Sequence, residues 1–373
     1  MMSHPLYYVR FLLSKELNAF YVSIVLRALA FSMVGIFVPL YLYKELGYGL
    51  DYIVYFYLIY SVLFGILSFP SAWIVDKLSF RYIVLICSPV YILYFVLLHF
   101  LKFNPGLFFI VPVVLGIVDA LFWLAFHFEF SGISDHDTRG KEIGNWYHFS
   151  LFAGLVGPLM GGSILLFSGF SLLFLLVGIL LFGSAIPMFF CNHKNRRYDV
   201  DFKKVFKKRY VRDGLAFLGQ GGVLVVAVVF WPIFVYGILG GYLKLGSLAT
   251  IAGIIGILFT FVMSKLSDKY DRRKLIRIGA VFRAVIWWVR IFVQTTFQLV
   301  GIYMLAIVAS IAANLPFIAL TYDKSKNRTE YFIMREVYMS IGRVLILILI
   351  LITGKLIHGF FFAGLFSLFS MFL

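Results

Sequence analysis

The chain has 373 residues, of which 62% are hydrophobic and 13% charged, with a formal net charge of +16. A soluble domain is nearer half apolar and a quarter charged, so this balance excludes a single water-soluble core and makes lipid the solvent. The basic residues lie in loops between apolar runs, and no RNA- or DNA-binding motif accompanies them; sorting of positive charge to one side of a membrane accounts for them, and nucleic acid is not expected as a partner.

A spanning helix needs about 20 apolar residues, and backbone groups in lipid must be satisfied within the segment. The runs are continuous, not alternating, which argues for helices over a β-barrel. In chain order, an interfacial segment is expected at 5–15, then spans near 17–43, 52–75, 82–101, 105–129, 146–167 and 170–190. A basic stretch with Lys203, Lys204, Lys207, Lys208 and Arg209 follows. Further spans are expected near 214–238, 246–266, 275–296, 298–321, 335–353 and 355–373. The fold class predicted is an all-α polytopic membrane protein of about twelve transmembrane helices. Its divisions are a six-helix bundle at 1–191, a cytoplasmic linker at 192–213 and a second bundle at 214–373. The first apolar run is too long for a signal-peptide core and lacks a small-residue cleavage site, so no cleaved leader is expected. Cys87 and Cys191 lie in or at the end of apolar runs and say little about redox compartment.

Orientation follows from lysine and arginine. One side of this layout receives Lys77, Arg81, Arg139, Lys141, the 194–212 cluster, the 265–277 run and the 324–335 segment; the other receives Lys44, Lys102, Lys244 and Lys355. The asymmetry puts the basic loops and both termini in the cytoplasm, in a cell membrane.

Two of those loops are copies of one pattern. Asp76, Lys77 and Arg81 join the second and third spans; Asp268, Lys269, Arg272 and Arg273 join the eighth and ninth. The aspartates are 268 − 76 = 192 residues apart, about half the chain. A second echo pairs Arg139, before the fifth span, with Arg328, before the eleventh, at 328 − 139 = 189. A polar turn repeated at half the length of a polytopic chain reads as two homologous bundles.

These loops resemble the signature of the major facilitator superfamily, Gly-x-x-x-Asp-Arg/Lys-x-Gly-Arg-Arg/Lys. Ala72 and Ser264 replace its first glycine, and Ser79 and Asp271 its second. The resemblance implies two bundles that rock about a midplane site, with the loop acids and arginines holding the cytoplasmic gate: Asp76 near Arg335, and Asp268 near Arg139. The fifth span carries Ala153, Gly154, Gly157, Pro158, Gly161 and Gly162. That run looks like a motif of the superfamily's drug:proton antiporters and favours export. Equally, small residues four apart form a close-packing face.

Ionisable groups inside spans are costly and suggest function. Arg27 and Asp119 fall at one depth, about 15 Å from the cytoplasmic end, on helices running in opposite directions. An Arg27–Asp119 pair is therefore expected; the resemblance implies that both helices line the central cavity, where a substrate that perturbs the pair would change proton occupancy, and a fixed structural ion pair is the alternative. Arg343 is a further cavity candidate, with snorkelling to the interface as the alternative. Gln220 and Asn314 are polar candidates on the seventh and tenth spans, or helix-packing hydrogen bonds. Arg283 and Arg290, on the ninth, read as snorkelling or lipid-contacting. Tyr55, Tyr57, Tyr60, Trp123 and Trp146 are aromatic candidates, none singled out; His127 and His148 read as interfacial. No Walker-type loop supports ATP-driven transport and no Cys/His spacing suggests a metal, so no cofactor is expected. The expected function is a monomeric secondary transporter of a small organic solute, not an enzyme, proton-coupled, with export favoured. Uptake of a sugar or metabolite is the alternative. A lipid-modifying enzyme, for which Asp135, His136 and Asp137 are the one acid/His cluster, and a solute-binding receptor are the remaining readings.

Overall fold

In the computed structural model the backbone is described for residues 15–133, 139–189, 200, 202–325 and 328–373, and side chains for those from 22 to 130 and from 152 onward. The interfacial segment before Lys15, the cluster Asp135 to Asp137, Cys191, the first part of the linker, and the side chains of Arg139, Trp146 and His148 lie outside the described residues.

Among the described residues twelve helical spans succeed one another. The first is α1 (Lys15–Val34, continued through Val38–Leu40 and a π-helical turn, Tyr41–Glu45). Then come α2 (Leu50–Lys77), α3 (Phe80–Phe100), α4 (Ile110–Ile133), α5 (Arg139–Phe167) and α6 (Gly169–Phe189). The second set opens with α7 (Val211–Val225, a π-helical turn Val226–Phe230, then Trp231–Leu239). It continues with α8 (Tyr242–Lys269), α9 (Arg272–Val289), α10 (Thr296–Ser325), α11 (Thr329–Thr353) and α12 (Leu356–Leu368, ending in the turn Phe369–Phe372). Among the described residues, nine of these are long and apolar enough to cross a membrane on that ground alone; α5, α9 and α12 are the others.

The predicted spans match in number and order. Their ends differ where polar residues extend a helix past the apolar core. α5 begins at Arg139, not near 146, and α11 at Thr329, not near 335. There a helix continues into the interface because its backbone bonds do not require apolar side chains.

Packing repeats between the halves. In the first, α1 lies on α5 and α6, α2 on α4, and α3 on α4 and α6. In the second, α7 lies on α11 and α12, α8 on α10, and α9 on α10 and α12. The halves meet where α5 runs along α8 and α2 along α11. The turns repeat too. Gly47 (φ 69°) follows α1 and Gly240 (φ 66°) follows α7; Gly169 (φ 74°) separates α5 from α6 and Gly354 (φ 62°) separates α11 from α12. Each needs the left-handed conformation that only glycine adopts without penalty, which ends the helix there.

The small residues of α5 serve packing. A Cβ at Gly157 would overlap Ser32, and one at Gly161 would overlap the Met33 carbonyl, both on α1. Gly162 lies against Tyr242 of α8, and Gly246 of α8 against Pro158. Ser32 donates to the Ala153 carbonyl and Thr250 to the Leu155 carbonyl, at 2.9 and 2.8 Å. Gly154 has open space around it.

Candidate functional site

Asp119 sits on α4 at the centre of a polar group drawn from five helices. One carboxylate oxygen accepts from Tyr60 of α2 at 2.8 Å, and the other from the buried Tyr91 of α3. Arg27 of α1 does not touch the carboxylate. Its guanidinium lies over the rings of Phe122, Tyr91 and Phe31, at 4.0, 4.8 and 5.7 Å. The expected Arg27–Asp119 ion pair is therefore replaced by a relay: the depth is shared, but Tyr91 stands between, bonding the acid with its hydroxyl and facing the cation with its ring. A cation over desolvated rings gains about 2 kcal/mol. Arg343 of α11 approaches from the other half, 4.8 Å from the Phe64 ring and 5.9 Å from the Tyr60 ring. It is 6% exposed, so it points inward and does not snorkel. Both arginines lie within electrostatic reach of Asp119. A carboxyl group so placed can exchange a proton as its neighbours' charge changes.

A second polar group occupies the same place in the other half. Arg283 of α9 donates to Gln220 of α7 at 3.0 Å, to Asn314 of α10 at 2.7 Å and to Ser370 of α12 at 2.7 Å. Gln220 also donates to Asn314 at 2.8 Å. The snorkelling expected of Arg283 is overturned: it is 2% exposed and holds four helices together. Gln220 and Asn314 thus bond each other and Arg283 across α7, α9 and α10. Arg290, also buried, lies over the Trp231 and Trp287 rings at 4.0 and 3.8 Å. A helix presumed to face lipid hid both arginines from sequence reasoning.

The repeated loops differ from each other. Asp76, at the end of α2, is half-buried and engaged with its surroundings. Lys77 lies over the Trp73 ring at 3.4 Å, and Arg81 donates to the Phe189 carbonyl at 2.8 Å, tying α3 to α6. In the second copy Asp268 is exposed and makes no hydrogen bond or ion pair to any described residue. Arg272 instead pairs with Asp323 at the end of α10, and the Asp271 side chain caps α9 at the Arg273 amide, 3.0 Å away. Lys269 lies 5.6 Å from the Tyr270 ring, and Arg328 is an exposed residue at the start of α11.

The described contacts between halves at the basic end come from elsewhere. His127 of α4 is 8% exposed and stacks on Phe332 of α11, 5.5 Å away and 4° from parallel. One ring nitrogen bonds Tyr322 of α10 and the other Arg335 of α11, each at 2.8 Å, with Glu336 3.5 Å off. Arg335 also pairs with Glu336, and not with Asp76 as the family pattern implied. His127, read as interfacial, is thus a buried bridge between halves. At the opposite end Tyr242 of α8 donates to Glu45 of α1 at 2.8 Å. Among the described residues no group of three or more His, Cys, Asp or Glu could hold a metal ion.

Known proteins resemble this chain over most of its length. The model of the Major Facilitator Superfamily matches residues 20–345. The chain is 24% identical over 354 residues to the uncharacterized protein YqgE of Bacillus subtilis (strain 168), covering 89% of this chain and 81% of that one. Among solved structures it is similar to the nucleoside transporter NupG: a mutant structure gives a TM-score of 0.70 at 14% identity over 95% of this chain and 98% of that one. A second NupG structure gives 0.69 at 14% identity, over 96% and 98%. At that identity the likeness speaks for the fold, and it agrees with the helix packing above. The chain belongs to the Major Facilitator Superfamily and is a membrane transporter.

Proposed function

We propose that the protein is a proton-linked secondary transporter of a small organic solute, working by alternating access, with Asp119 as the proton site. One observation carries this: an acid deep in α4, Asp119, has both oxygens on tyrosine hydroxyls and lies within electrostatic reach of two buried arginines. Domains at 1–191 and 214–373 move about that site, joined by the basic linker 192–213. The linker, the basic loops and both termini face the cytoplasm of a cell membrane, and the protein acts as a monomer. Asp76, Lys77 and Arg81, with Asp268, Lys269, Arg272, Arg273, Arg139 and Arg328, shape the cytoplasmic end.

Export is the first direction proposed, on the Ala153–Gly162 run. Uptake is the second, favoured by the use of Gly157, Gly161 and Gly162 in direct packing on α1 and α8, which accounts for that run without an export role. Nucleosides, the solute in NupG's name, belong in the panel as neutral candidates.

The test is reconstitution in liposomes enclosing a pH dye, with a panel of amphipathic cations, sugars, nucleosides and organic acids. Solute-dependent proton flux that vanishes in Asp119→Asn supports the reading. Solute movement with no proton flux, or flux untouched by that substitution, overturns it.

A further inference from the structure

We propose that the solute is an organic monoanion, a carboxylate on an apolar or aromatic body, and that it binds together with a proton, gripped by Arg27 from one half and Arg343 from the other. The inference rests on Asp119 being the proton site and names what that site serves.

Hydrogen-bond demand comes first. Arg27 is 4% exposed, and beyond a weak contact with the Tyr91 hydroxyl its Nε, Nη1 and Nη2 make no hydrogen bond to the described residues. Arg343 is 6% exposed, and its Nη1 has none. A buried guanidinium with empty donors is expensive, far more so than a buried hydroxyl. Asp119 does not relieve it: its carboxylate bonds Tyr60 and Tyr91 and forms no ion pair with either arginine. A carboxylate matches the planar fork of arginine and would fill those donors.

Charge comes next. Two cations and one acid leave a net charge of 2 − 1 = +1 when Asp119 is ionised, which a monoanion cancels. With Asp119 protonated the group carries +2 and holds the anion more tightly. Proton and anion therefore favour each other's binding, and by linkage the preference is reciprocal. The acid nearby on α11 does not upset this count, because Glu336 is already paired with Arg335.

The surroundings fix the rest of the solute. Phe31, Phe64 and Phe122 surround the arginines, so the body beyond the carboxylate meets rings. Arg27 and Arg343 belong to different halves and both lie within electrostatic reach of Asp119, so an anion held by both would report its presence to each half.

The test uses the purified full chain and four probes of one shape: benzoate, phenylphosphonate, benzamide and benzylamine. Binding is followed by thermal shift at pH 5.5 and 7.5, and proton flux in the dye-loaded liposomes, with empty liposomes as control for passive entry. Benzoate is expected to bind, more tightly at pH 5.5, and to carry protons in its own direction, which under an inward proton gradient is the uptake reading and not the export one. Arg27→Gln and Arg343→Gln should each weaken it by about 30-fold or more. Arg343→Lys, which keeps the charge and loses the fork, should weaken it less; it serves if either glutamine variant fails to fold. Preference for benzamide or benzylamine, with proton flux, overturns the monoanion and leaves proton-linked transport standing. Benzoate movement without proton flux overturns the proton reading and with it the joint binding. Phenylphosphonate preferred at pH 7.5 overturns the monovalent charge count. No binding by any probe overturns the proposal.

Discussion

Tyr91 and Arg283 stand 283 − 91 = 192 residues apart, the interval that also separates Asp76 from Asp268. Each sits on the third helix of its half and ties that helix to the fourth: Tyr91 to Asp119, Arg283 to Asn314. The two halves thus keep one polar knot but exchange its chemistry. In the first the cation comes from α1 and the acid from α4. In the second the cation comes from α9, and Gln220 and Asn314 answer it with neutral oxygens. A titratable acid in one half and an amide in the other makes the first half the place where a proton can be gained or lost.

The second knot should be structural. Arg283→Met leaves Gln220, Asn314 and Ser370 buried with a lost partner, and should cost about 3 kcal/mol. The thermal midpoint in detergent should fall, while solute flux per folded molecule stays near wild type. Arg283→Lys should recover only part, because an ammonium cannot donate in the same fork.

The two loop acids should not behave alike. Asp76→Asn should change the transport rate at unchanged amounts of folded protein, because Asp76 is half-buried and engaged. Asp268→Asn should leave the rate within about twofold, the range of an exposed substitution away from special features. Initial rates in liposomes, scaled to protein content, decide it; equal effects of both would reject the asymmetry.

Glycines in α5 offer a sharp contrast. Gly154→Ala meets open space and should be silent. Gly157→Ala drives a methyl into Ser32, and Gly161→Ala into the Met33 carbonyl, so α5 must leave α1. Each should lower stability by about 1–3 kcal/mol, the usual cost of overpacking. Folded yield on size-exclusion chromatography checks all three.

The bridge at His127 should set how readily the basic end parts. His127→Phe keeps the stack on Phe332 and loses the bonds to Tyr322 and Arg335. At about 1 kcal/mol per hydrogen bond, the balance between closed and open forms should move roughly tenfold or more towards open. Exchange rates with a bound solute on one side of the vesicle measure that shift; an unchanged rate would return His127 to simple packing.

Much of this architecture is legible in the sequence. Apolar run length yields twelve spans, and the polar loops at a 192-residue interval yield the two halves. Helical rise alone places Arg27 and Asp119 at one depth. Sequence could not supply rotation about the helix axis, which decides that Tyr91 comes between them. Nor could it select Tyr60 and Tyr91 from 23 tyrosines. Arg283 and His127 were misjudged because a charge near lipid has two solutions, reaching for water or burial among partners, and a single helix does not reveal which partners it has. The 192-residue interval between Tyr91 and Arg283 was the available signal.

The arginines of α9 also bear on how the chain is made. Arg272, Arg273, Lys274, Arg277 and Arg283 fall within its 18 residues. An arginine at the centre of a helix entering the membrane alone costs about 2.5–3.5 kcal/mol. α9 is therefore a poor candidate for insertion by itself as it leaves the ribosome. The partners that satisfy Arg283 are on α7, α10 and α12, two of which are synthesised later. α9 therefore reaches its full set of hydrogen bonds only when α10 and α12 have been made, which ties its settling in the bilayer to theirs.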